Sequence, residues 1–377
     1  MQGDIRLQGN SSNIFFIPSP QMGNVWAGNM TDSWKIKPYA RKGDRFAMGH
    51  VTEFSLMPLA AGKFVDAPNC TANHSNPAII FSITGYTGNL FHDFTDVLIP
   101  LFITSRQFHG DVQFVVTDAK PWWVRKYEPI LKQLSRYETI DHEKDSRVVR
   151  CFPRAIVGLR SHKELGIDPS RSPNGYSMAD FRAFLRGTYL LERERAIKIS
   201  DRKLEKKPRL LIISRKGTRR FTNEGEIVET AQRLGMEVVV TEARVQTRLA
   251  DFARIVNSCD VMMGIHGAGL TNLVFLPSNA VVIQVIPLGG LEWYARLDFG
   301  GPSEEMELRY LEYRIGEEES SLIEQYPRDH PVIRDPISIH KKGWLALRSA
   351  YLDKQDVRLD VGRFKNTLLE ALELLRQ

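Results

Sequence analysis

The sequence contains few cysteines and no long apolar run. Three cysteines in 377 residues, Cys70, Cys151 and Cys259, allow at most one disulfide bond and do not form a metal-binding cluster. No stretch reaches the roughly 20 apolar residues needed to cross a bilayer. The strongest apolar run, residues 260–287, contains a histidine, an asparagine and several glycines. The absence of repeats and low-complexity tracts excludes collagen, coiled-coil and disordered classes.

Several catalytic motifs are also missing. There is no Gly-x-Ser-x-Gly elbow, and His142-Glu143 lacks the second histidine of a zinc peptidase, which argues against both hydrolase classes. No Asp-x-Asp occurs, so the sequence predicts no carboxylate pair that presents a divalent metal to a nucleotide sugar. The 51 lysines and arginines exceed the 45 acidic residues, for a net charge of +6. This mild excess favours anionic ligands, but no zinc finger or basic helix indicates a nucleic-acid partner.

What is present is an ordinary globular composition, 42% hydrophobic and 25% charged, in a chain long enough for two domains. Residues 1–75 are rich in glycine, proline, asparagine and serine, which predicts an irregular or short-stranded N-terminal extension. Predicted strands and helices then alternate on both sides of a charged stretch at 197–208. This alternation predicts an α/β protein with parallel sheets, in Rossmann-like domains at 76–200 and 201–377, ending in a helix at 366–375.

Four N-glycosylation sequons precede residue 76, at Asn10, Asn29, Asn69 and Asn73. They predict a secreted or lumenal protein that carries glycans in this region. Accidental sequons in a cytosolic protein are the alternative. Met1 is not followed by a charged segment and an apolar core, so no signal peptide is visible. We therefore expect a lumenal form of the protein to need a targeting segment that this chain lacks.

A glycine-rich loop follows a predicted apolar strand and precedes a predicted helix at residues 264–272. Its glycines let the backbone approach a phosphate closely, and the start of the helix presents unpaired N–H groups. The spacing fits neither the dinucleotide fingerprint nor a P-loop, and a purely structural turn is the alternative. The predicted ligands are His266, Gly267, Ala268, Gly269 and Asn272.

A second loop between a predicted strand and helix, residues 214–224, concentrates basic side chains. Guanidinium groups match the geometry of a pyrophosphate, although solvated surface charge is the alternative. Because both loops follow strands of one sheet, they predict a nucleoside diphosphate site. The candidate ligands are Arg215, Arg219 and Arg220, with Glu292 after a later strand as a contact for sugar hydroxyls.

A third segment predicts a helix over residues 89–104 with one polar and one apolar face. A carboxylate one turn after an imidazole can orient it or act as the base itself. A solvated helix face is the alternative, but the neighbouring residues are strongly apolar. The pattern predicts His92, Asp93 and Asp96 as catalytic candidates, and it places Asn89 and Tyr86 on the acceptor side.

Together these segments resemble plant glycosyltransferase family 61. The resemblance rests on residues 85–96, 99–102, 213–220 and 264–272, and the opening Gly-Asp-Ile-Arg is similar to the start of the catalytic region in grass members that decorate xylan. It implies a GT-B fold with two Rossmann-like domains facing a central cleft, an inverting mechanism, a UDP-sugar donor and no metal or other cofactor. It also implies a type II membrane protein of the Golgi lumen, whose anchor is absent from this sequence.

The resemblance further implies that His92 and Asp96 lie on a catalytic helix, and that Arg215 and residues 266–269 bind the donor phosphates. The expected activity is transfer of xylose or arabinofuranose from a UDP-sugar to xylan. A β-1,2-xylosyltransferase of N-glycans and a protein N-acetylglucosaminyltransferase are the alternatives within the family. A non-catalytic polysaccharide-binding scaffold is another, with Trp122-Trp123 and Trp293-Tyr294 as sugar platforms, and a dehydrogenase is more distant.

Overall fold

The computed structural model describes residues 1–18, 33–59, 67–199, 206–242 and 247–377. These residues form two compact units, Met1–Ser177 and Met178–Gln377. The division falls earlier than the predicted boundary at residue 200, because Arg182 donates hydrogen bonds to the carbonyls of Leu276 and Met306. Those bonds fix the helix that contains Arg182 to the second unit. The predicted glycosylation site Asn29 lies outside the described residues.

Fourteen strands are described. They are β1 (Gln2–Gln8), β2 (Asn13–Pro18), β3 (Trp34–Ile36), β4 (Phe54–Pro58), β5 (Ala72–Asn73), β6 (Ala78–Ser82), β7 (Gln113–Thr117), β8 (Ile140–Asp141), β9 (Val149–Val157), β10 (Arg209–Ile213), β11 (Glu237–Thr241), β12 (Val261–Ile265), β13 (Val281–Ile286) and β14 (Arg309–Arg314).

The described α-helices are α1 (Arg45–Gly49), α2 (Leu90–His92), α3 (Ile99–Ser105), α4 (Pro121–Leu134), α5 (Met178–Tyr189), α6 (Glu224–Arg233), α7 (Leu249–Asn257), α8 (Glu292–Ala295), α9 (Gly301–Glu305), α10 (Leu322–Gln325), α11 (Pro331–Arg334), α12 (Pro336–His340), α13 (Trp344–Leu347) and α14 (Val361–Leu374). Wider π-helical turns cover Asp93–Leu98, Arg296–Gly300 and Arg348–Leu352, and 3₁₀ turns cover Arg106–Phe108, Pro169–Arg171, Pro173–Gly175, Ala268–Phe275 and Glu317–Glu319. None of the helices within these described ranges is long and apolar enough to cross a membrane.

The first unit contains a mixed sheet rather than the predicted parallel one. The strand order is β3-β4-β2-β1-β9-β6-β7-β8, with β5 also paired to β9. Strand β1 runs antiparallel to both β2 and β9, whereas β6, β7, β8 and β9 pair in parallel. The N-terminal residues are therefore part of the sheet and not an extension that precedes it. The reason is their alternating apolar pattern: Ile5, Leu7, Ile14 and Phe16 are buried in one core with Val115 of β7.

Cys70 and Cys151 form a disulfide bond, and Cys259 is a buried free thiol. The bond ties the segment before β5 to β9 across a sequence separation of 81 residues. It is consistent with the count of three cysteines, from which the pairing could not be predicted.

Reduction of this disulfide should lower the free energy of unfolding by about 4 kcal/mol, because a cross-link that closes a long loop lowers the conformational entropy of the unfolded chain. Calorimetry with and without a reductant measures the effect. A Cys70→Ser/Cys151→Ser variant is the control, since its lower midpoint should not respond to the reductant. A wild-type midpoint that is the same before and after complete reduction would contradict the expectation.

The second unit contains a fully parallel five-stranded sheet in the order β11-β10-β12-β13-β14. The chain passes from β10 to β11 on one side and from β12 to β14 on the other, so the direction of the order reverses between β10 and β12. Ligands of such sheets bind beyond the carboxyl ends of the strands at this reversal. The terminal helix α14 buries Phe364 and Leu368 in the same core as Val285 of β13.

The reversal in the parallel part of the first sheet lies between β6 and β9, since β7 and β8 follow on the other side of β6. The loop after β6 leads into α2, and the loop after β9 contains Glu164. The three segments predicted to carry chemistry, residues 89–104, 214–224 and 264–272, thus follow β6, β10 and β12, which are strands at the reversal points of their own sheets.

Candidate active site

In the first unit, Asp96 and His92 form the hydrogen-bonded pair predicted from their spacing. Residues 90–105 are helical throughout, but the turn Asp93–Leu98 is π-helical and not α-helical. His92 Nδ1 lies 2.9 Å from Asp96 Oδ2, at a separation of four residues. The carboxylate is buried, with 1% of its side chain exposed, whereas the imidazole is 19% exposed. Since a carboxylate accepts, the neutral imidazole carries its proton on Nδ1 and presents the lone pair of Nε2.

Asp96 is held by two further donors that the sequence analysis did not identify. The Tyr39 hydroxyl donates to Asp96 Oδ2 at 2.8 Å, and Arg41 Nε donates to Asp96 Oδ1 at 2.9 Å. Arg41 also forms two hydrogen bonds with Glu164, at 2.7 and 2.6 Å. Burial alone would lower the pKa of Arg41, but its hydrogen bonds to Glu164 and the charge of Asp96 raise it above the ordinary value. The carboxylates of Asp96 and Glu164 therefore both contact the permanently charged guanidinium group of Arg41.

Asp93 points away from this pair, although it was predicted as a third catalytic candidate. Its carboxylate accepts hydrogen bonds from the Gly88 N–H at 3.1 Å, from Trp123 Nε1 at 2.8 Å and from the Tyr127 hydroxyl at 2.8 Å. Burial raises the pKa of Asp93, and the three hydrogen bonds oppose that shift only in part. Within the π-helical turn, the side chains of Asp93 and Asp96 point in different directions. Asp93 accepts from two residues of α4 and so joins the helix to α4.

Tyr86 and Asn89 border His92. The ring of Tyr86 stacks on the imidazole with centroids 4.1 Å apart, and its hydroxyl donates to Asp44 Oδ2 at 2.9 Å. Burial, followed by the hydrogen bond to Asp44, raises the pKa of Tyr86 to about 12. Asn89 is exposed and caps α2, because its side-chain oxygen accepts from the Phe91 N–H at 3.1 Å. The two predicted acceptor-side residues thus position the start of the helix and one face of the imidazole.

In the second unit, the two predicted phosphate loops meet at the reversal between β10 and β12. A side chain on Gly267 would lie 2.8 Å from Nη1 of both Arg215 and Arg219, and the backbone there has φ +147°. The backbone conformation favours glycine at this position, and a Cβ atom would displace the two guanidinium groups. Gly269 is close-packed as well, with Ile213 Cγ2 2.9 Å from where its Cβ would be.

Arg215 and Arg219 are half-buried cations whose hydrogen bonds in the described chain go to backbone carbonyls. Arg215 Nε donates to Thr218 O at 2.9 Å, and Arg219 Nη1 donates to His266 O at 2.6 Å. Burial lowers the pKa of both guanidinium groups. For Arg219, the charge of Arg215 lowers it further, to about 9, so the group still carries its charge at neutral pH. This arrangement favours the binding of an anion, because an anion would offset both the desolvation of the two guanidinium groups and the repulsion between them.

His266 is a neutral hydrogen-bond donor at the same place. Burial, and then the charges of Arg219 and Arg215, lower its pKa to about 3. The Tyr310 hydroxyl donates to Gln284 Oε1 at 2.7 Å, and Gln284 Nε2 lies 2.8 Å from His266 Nδ1. The amide nitrogen donates, so Nδ1 accepts and the remaining proton sits on Nε2. The imidazole can therefore offer an N–H to an oxygen without carrying a charge.

The other predicted donor ligands lie in different settings. Arg220 is exposed and forms an ion pair with Asp356, so its guanidinium is already engaged. Asn272 is buried and braces the 3₁₀ turn by donating to Gly269 O at 2.8 Å. Ala268 is the first residue of that turn, where the backbone N–H has no partner within a helix. Glu292 is half-buried in the first turn of α8, beyond the carboxyl end of β13.

The sequence analysis missed Tyr39, Arg41, Glu164, Gln284 and Tyr310. Gln284 lies within an apolar strand run, where a lone amide was the available signal, because a buried polar group needs a partner. The other four come from segments distant in sequence from the residues they contact. No spacing pattern links them, so only the folded chain brings them together.

The described residues contain one group of three metal-ligand side chains, Asp4, Cys70 and Cys151. The two cysteines are joined in the disulfide, so their thiolates are not free to bind a metal.

Elsewhere in this unit, the predicted glycosylation sites Asn10, Asn69 and Asn73 are exposed.

Comparison with known proteins assigns the family. The model of the glycosyltransferase 61 family matches residues 90–283, a range that includes His92, Asp96, Arg215 and His266. The chain is a member of glycosyltransferase family 61. It is 50% identical to alpha-1,3-arabinosyltransferase XAT3 of Oryza sativa subsp. japonica over 376 residues, covering 100% of this chain and 63% of that protein. The resemblance found in the sequence is thus confirmed.

Two further members of the family are similar along nearly the whole chain. Beta-1,2-xylosyltransferase XYXT1 of Oryza sativa subsp. japonica is 48% identical over 386 residues, covering 100% of this chain and 82% of that protein. Xylan glycosyltransferase MUCI21 of Arabidopsis thaliana is 41% identical over 381 residues, covering 98% and 76%. The chain spans less than two thirds of the length of XAT3 and more of the other two.

Proposed function

We propose that this family 61 member is an inverting, metal-independent glycosyltransferase that moves a pentose from a UDP-sugar to the xylan backbone. The observation that carries this proposal is the Asp96–His92 pair, because a polysaccharide-binding scaffold has no need of an oriented, partly exposed imidazole. The name of MUCI21, a xylan glycosyltransferase, supports xylan as the acceptor polymer, and the names of XAT3 and XYXT1 support the transfer of a pentose. The finer interpretation of the fold, a GT-B enzyme with two Rossmann-like domains facing a central cleft, is part of the same proposal.

The proposal includes the secretory pathway, with the Golgi lumen as the site of action of a type II membrane protein. A disulfide bond persists in an oxidising compartment, and Cys70–Cys151 is such a bond. The exposed sequon residues Asn10, Asn69 and Asn73 support the same location.

His92 acts as the general base in this mechanism. Its Nε2 takes the proton of an acceptor hydroxyl while Nδ1–H remains donated to Asp96. The hydroxyl oxygen forms a bond to the anomeric carbon as the bond from that carbon to the diphosphate oxygen breaks. Asp96 stabilises the imidazolium that forms, and Arg41 and Tyr39 hold Asp96 in place.

The departing UDP carries the electron pair of the broken bond, and its charge develops on the diphosphate. We assign its stabilisation to Arg215, Arg219 and the Nε2–H of His266, together with the first backbone N–H groups of the 3₁₀ turn Ala268–Phe275. Fixed cations and N–H donors perform here the charge stabilisation for which other transferases use a divalent metal.

A donor panel tests the proposal. Purified protein is incubated with xylohexaose and with UDP-xylose, UDP-arabinofuranose or UDP-N-acetylglucosamine, each with and without EDTA. We expect a mass gain of one pentose from a single donor, unchanged by EDTA. The relatives do not predict which pentose, because an arabinosyltransferase at 50% identity and a xylosyltransferase at 48% are equally similar. Pentose transfer only to an N-glycan would indicate a β-1,2-xylosyltransferase of N-glycans. Transfer of N-acetylglucosamine would indicate a protein N-acetylglucosaminyltransferase. Either result would contradict the proposed transfer of a pentose to xylan.

Asp96→Asn should reduce turnover by about 10²- to 10⁴-fold, the contribution of a general base. The asparagine oxygen should remain toward Arg41, which can only donate, so its NH₂ group faces His92. Nδ1 then accepts, the proton moves to Nε2, and the base is lost. The measurements are kcat for xylohexaose and the affinity for UDP, which should not change. A variant with normal kcat and a shifted melting temperature would show that Asp96 has only a structural role.

A further inference from the structure

An apolar surface borders the proposed base in the first unit. Phe46 of α1 is 61% exposed, and Trp122 of α4 is 37% exposed. The ring of Phe46 stacks on Tyr86 with centroids 5.4 Å apart, and Tyr86 in turn stacks on His92 at 4.1 Å. The outer ring of Trp122 covers Gly88, two residues after Tyr86, because its Cη2 lies 3.1 Å from where a Cβ atom would be. We call these three side chains, Phe46, Tyr86 and Trp122, the aromatic platform.

The platform is held rigidly by polar contacts beneath it. Asp44 caps α1 by accepting from the Ala47 N–H at 3.0 Å, and it also accepts from the Tyr86 hydroxyl at 2.9 Å. The next residue after Trp122, Trp123, is fully buried and donates to Asp93 at 2.8 Å. These contacts fix Tyr86 and the chain around Phe46 and Trp122, so less of the surface has to be ordered when a ligand binds against it.

A chain of pentose rings is the occupant that fits these observations. Each xylose ring presents C–H groups on both faces and carries its hydroxyls around the edge, so it can cover an aromatic ring and still contact polar groups. Exposed apolar surface next to a functional group marks a binding site, and stacked aromatic rings supply large contact areas. Tyr86 lies between Phe46 and His92 in the stack, so Phe46 contacts a sugar other than the one that His92 deprotonates.

We propose that the aromatic platform binds the xylan acceptor along several of its sugars, with Phe46 and Trp122 contacting units beyond the one that is glycosylated. This inference depends on the proposed function and adds the subsite that selects long acceptors. It also gives the Trp122-Trp123 motif a divided role, in which Trp122 meets the acceptor and Trp123 belongs to the core.

The test compares acceptors of two lengths in Phe46→Ala, Trp122→Ala and a control, Tyr137→Ala. Tyr137 is a similarly exposed aromatic, at 39%, but it precedes β8 and so lies at the opposite edge of the parallel strands. The ratio of kcat/KM for xylohexaose to that for xylobiose should fall about tenfold in each platform variant, the worth of one stacking contact. The ratio should not change in Tyr137→Ala. Phe46→Tyr keeps the aromatic ring, so the ratio of the two kcat/KM values in this variant should equal that of the wild type.

Calorimetry without a donor adds a readout that does not depend on turnover. Xylohexaose should bind to the wild type, and more weakly to Phe46→Ala and Trp122→Ala, while UDP affinity stays the same. Wild-type transfer to xylohexaose with equal length dependence in all variants would overturn the aromatic platform and leave the proposed function standing. A wild type that binds UDP but neither binds nor glycosylates any xylo-oligosaccharide would overturn the proposed function, and the platform with it.

Discussion

Replacement of His92 by alanine should lower kcat by about 10³-fold or more, because the reaction then lacks a group that accepts the proton of the acceptor hydroxyl. The geometry makes this effect specific to the imidazole. Asp96 is buried with three donors around its carboxylate, so it has no open face for a substrate hydroxyl. UDP affinity should not change, because His92 lies in the first unit and the donor phosphate ligands lie in the second. Single-turnover kinetics and calorimetry with UDP measure the two quantities separately.

Asp93→Asn is the matched control in the adjacent helix position. An asparagine keeps the oxygen that accepts from Gly88 and Trp123, and its NH₂ group faces the Tyr127 hydroxyl, which can accept as well as donate. Since burial raises the pKa of Asp93, loss of its charge costs less here than at an exposed carboxylate. Turnover in this variant should stay within a few-fold of the wild type. If Asp93→Asn loses activity as His92→Ala does, the assignment of the base is wrong.

The order of the secondary structure from residue 76 onward could be predicted from apolar runs and the breaks between them. The alternation predicted on both sides of residues 197–208 is present, and the terminal helix predicted at residues 366–375 spans Val361–Leu374. These elements are buried on predictable faces, which makes periodicity a reliable guide. The place of strand β1 within the sheet was not predicted, because its antiparallel pairing with β9 joins residues about 150 positions apart. The local sequence of β1 does not indicate which distant strand it pairs with.

The candidate site was predicted in its local parts only. The His92–Asp96 pair follows from one helical turn, and the contact of the Arg215 and Gly267 loops follows from strands that end at the same sheet edge. The π-helical turn at Asp93–Leu98 was not predictable, and it is what directs Asp93 into the core. The ion pair that engages Arg220 joins two distant segments, so a run of basic residues could not show which member stays available.

Replacement of Arg215 by alanine should weaken UDP binding by roughly 10- to 100-fold, which corresponds to the loss of hydrogen bonds from a charged donor. We expect a larger loss in kcat/KM, by about 10²- to 10³-fold, since the charge on the diphosphate grows in the transition state. The reason lies in the surroundings of the side chain. Arg215 is half-buried beside a second cation, and its described hydrogen bond goes to the Thr218 carbonyl, so an anionic ligand would offset the desolvation of its charge.

Arg220→Ala provides the matched control, five residues away in the same loop. Its guanidinium is exposed and paired with Asp356, so its removal should change UDP affinity less than twofold. Calorimetric titration of both variants with UDP, and with uridine as a ligand without phosphate, separates the diphosphate contribution from that of the base and ribose. Uridine affinity should be the same in all three proteins. Equal losses for UDP in the two variants would show that the loop acts through general charge, and would remove Arg215 from the donor site.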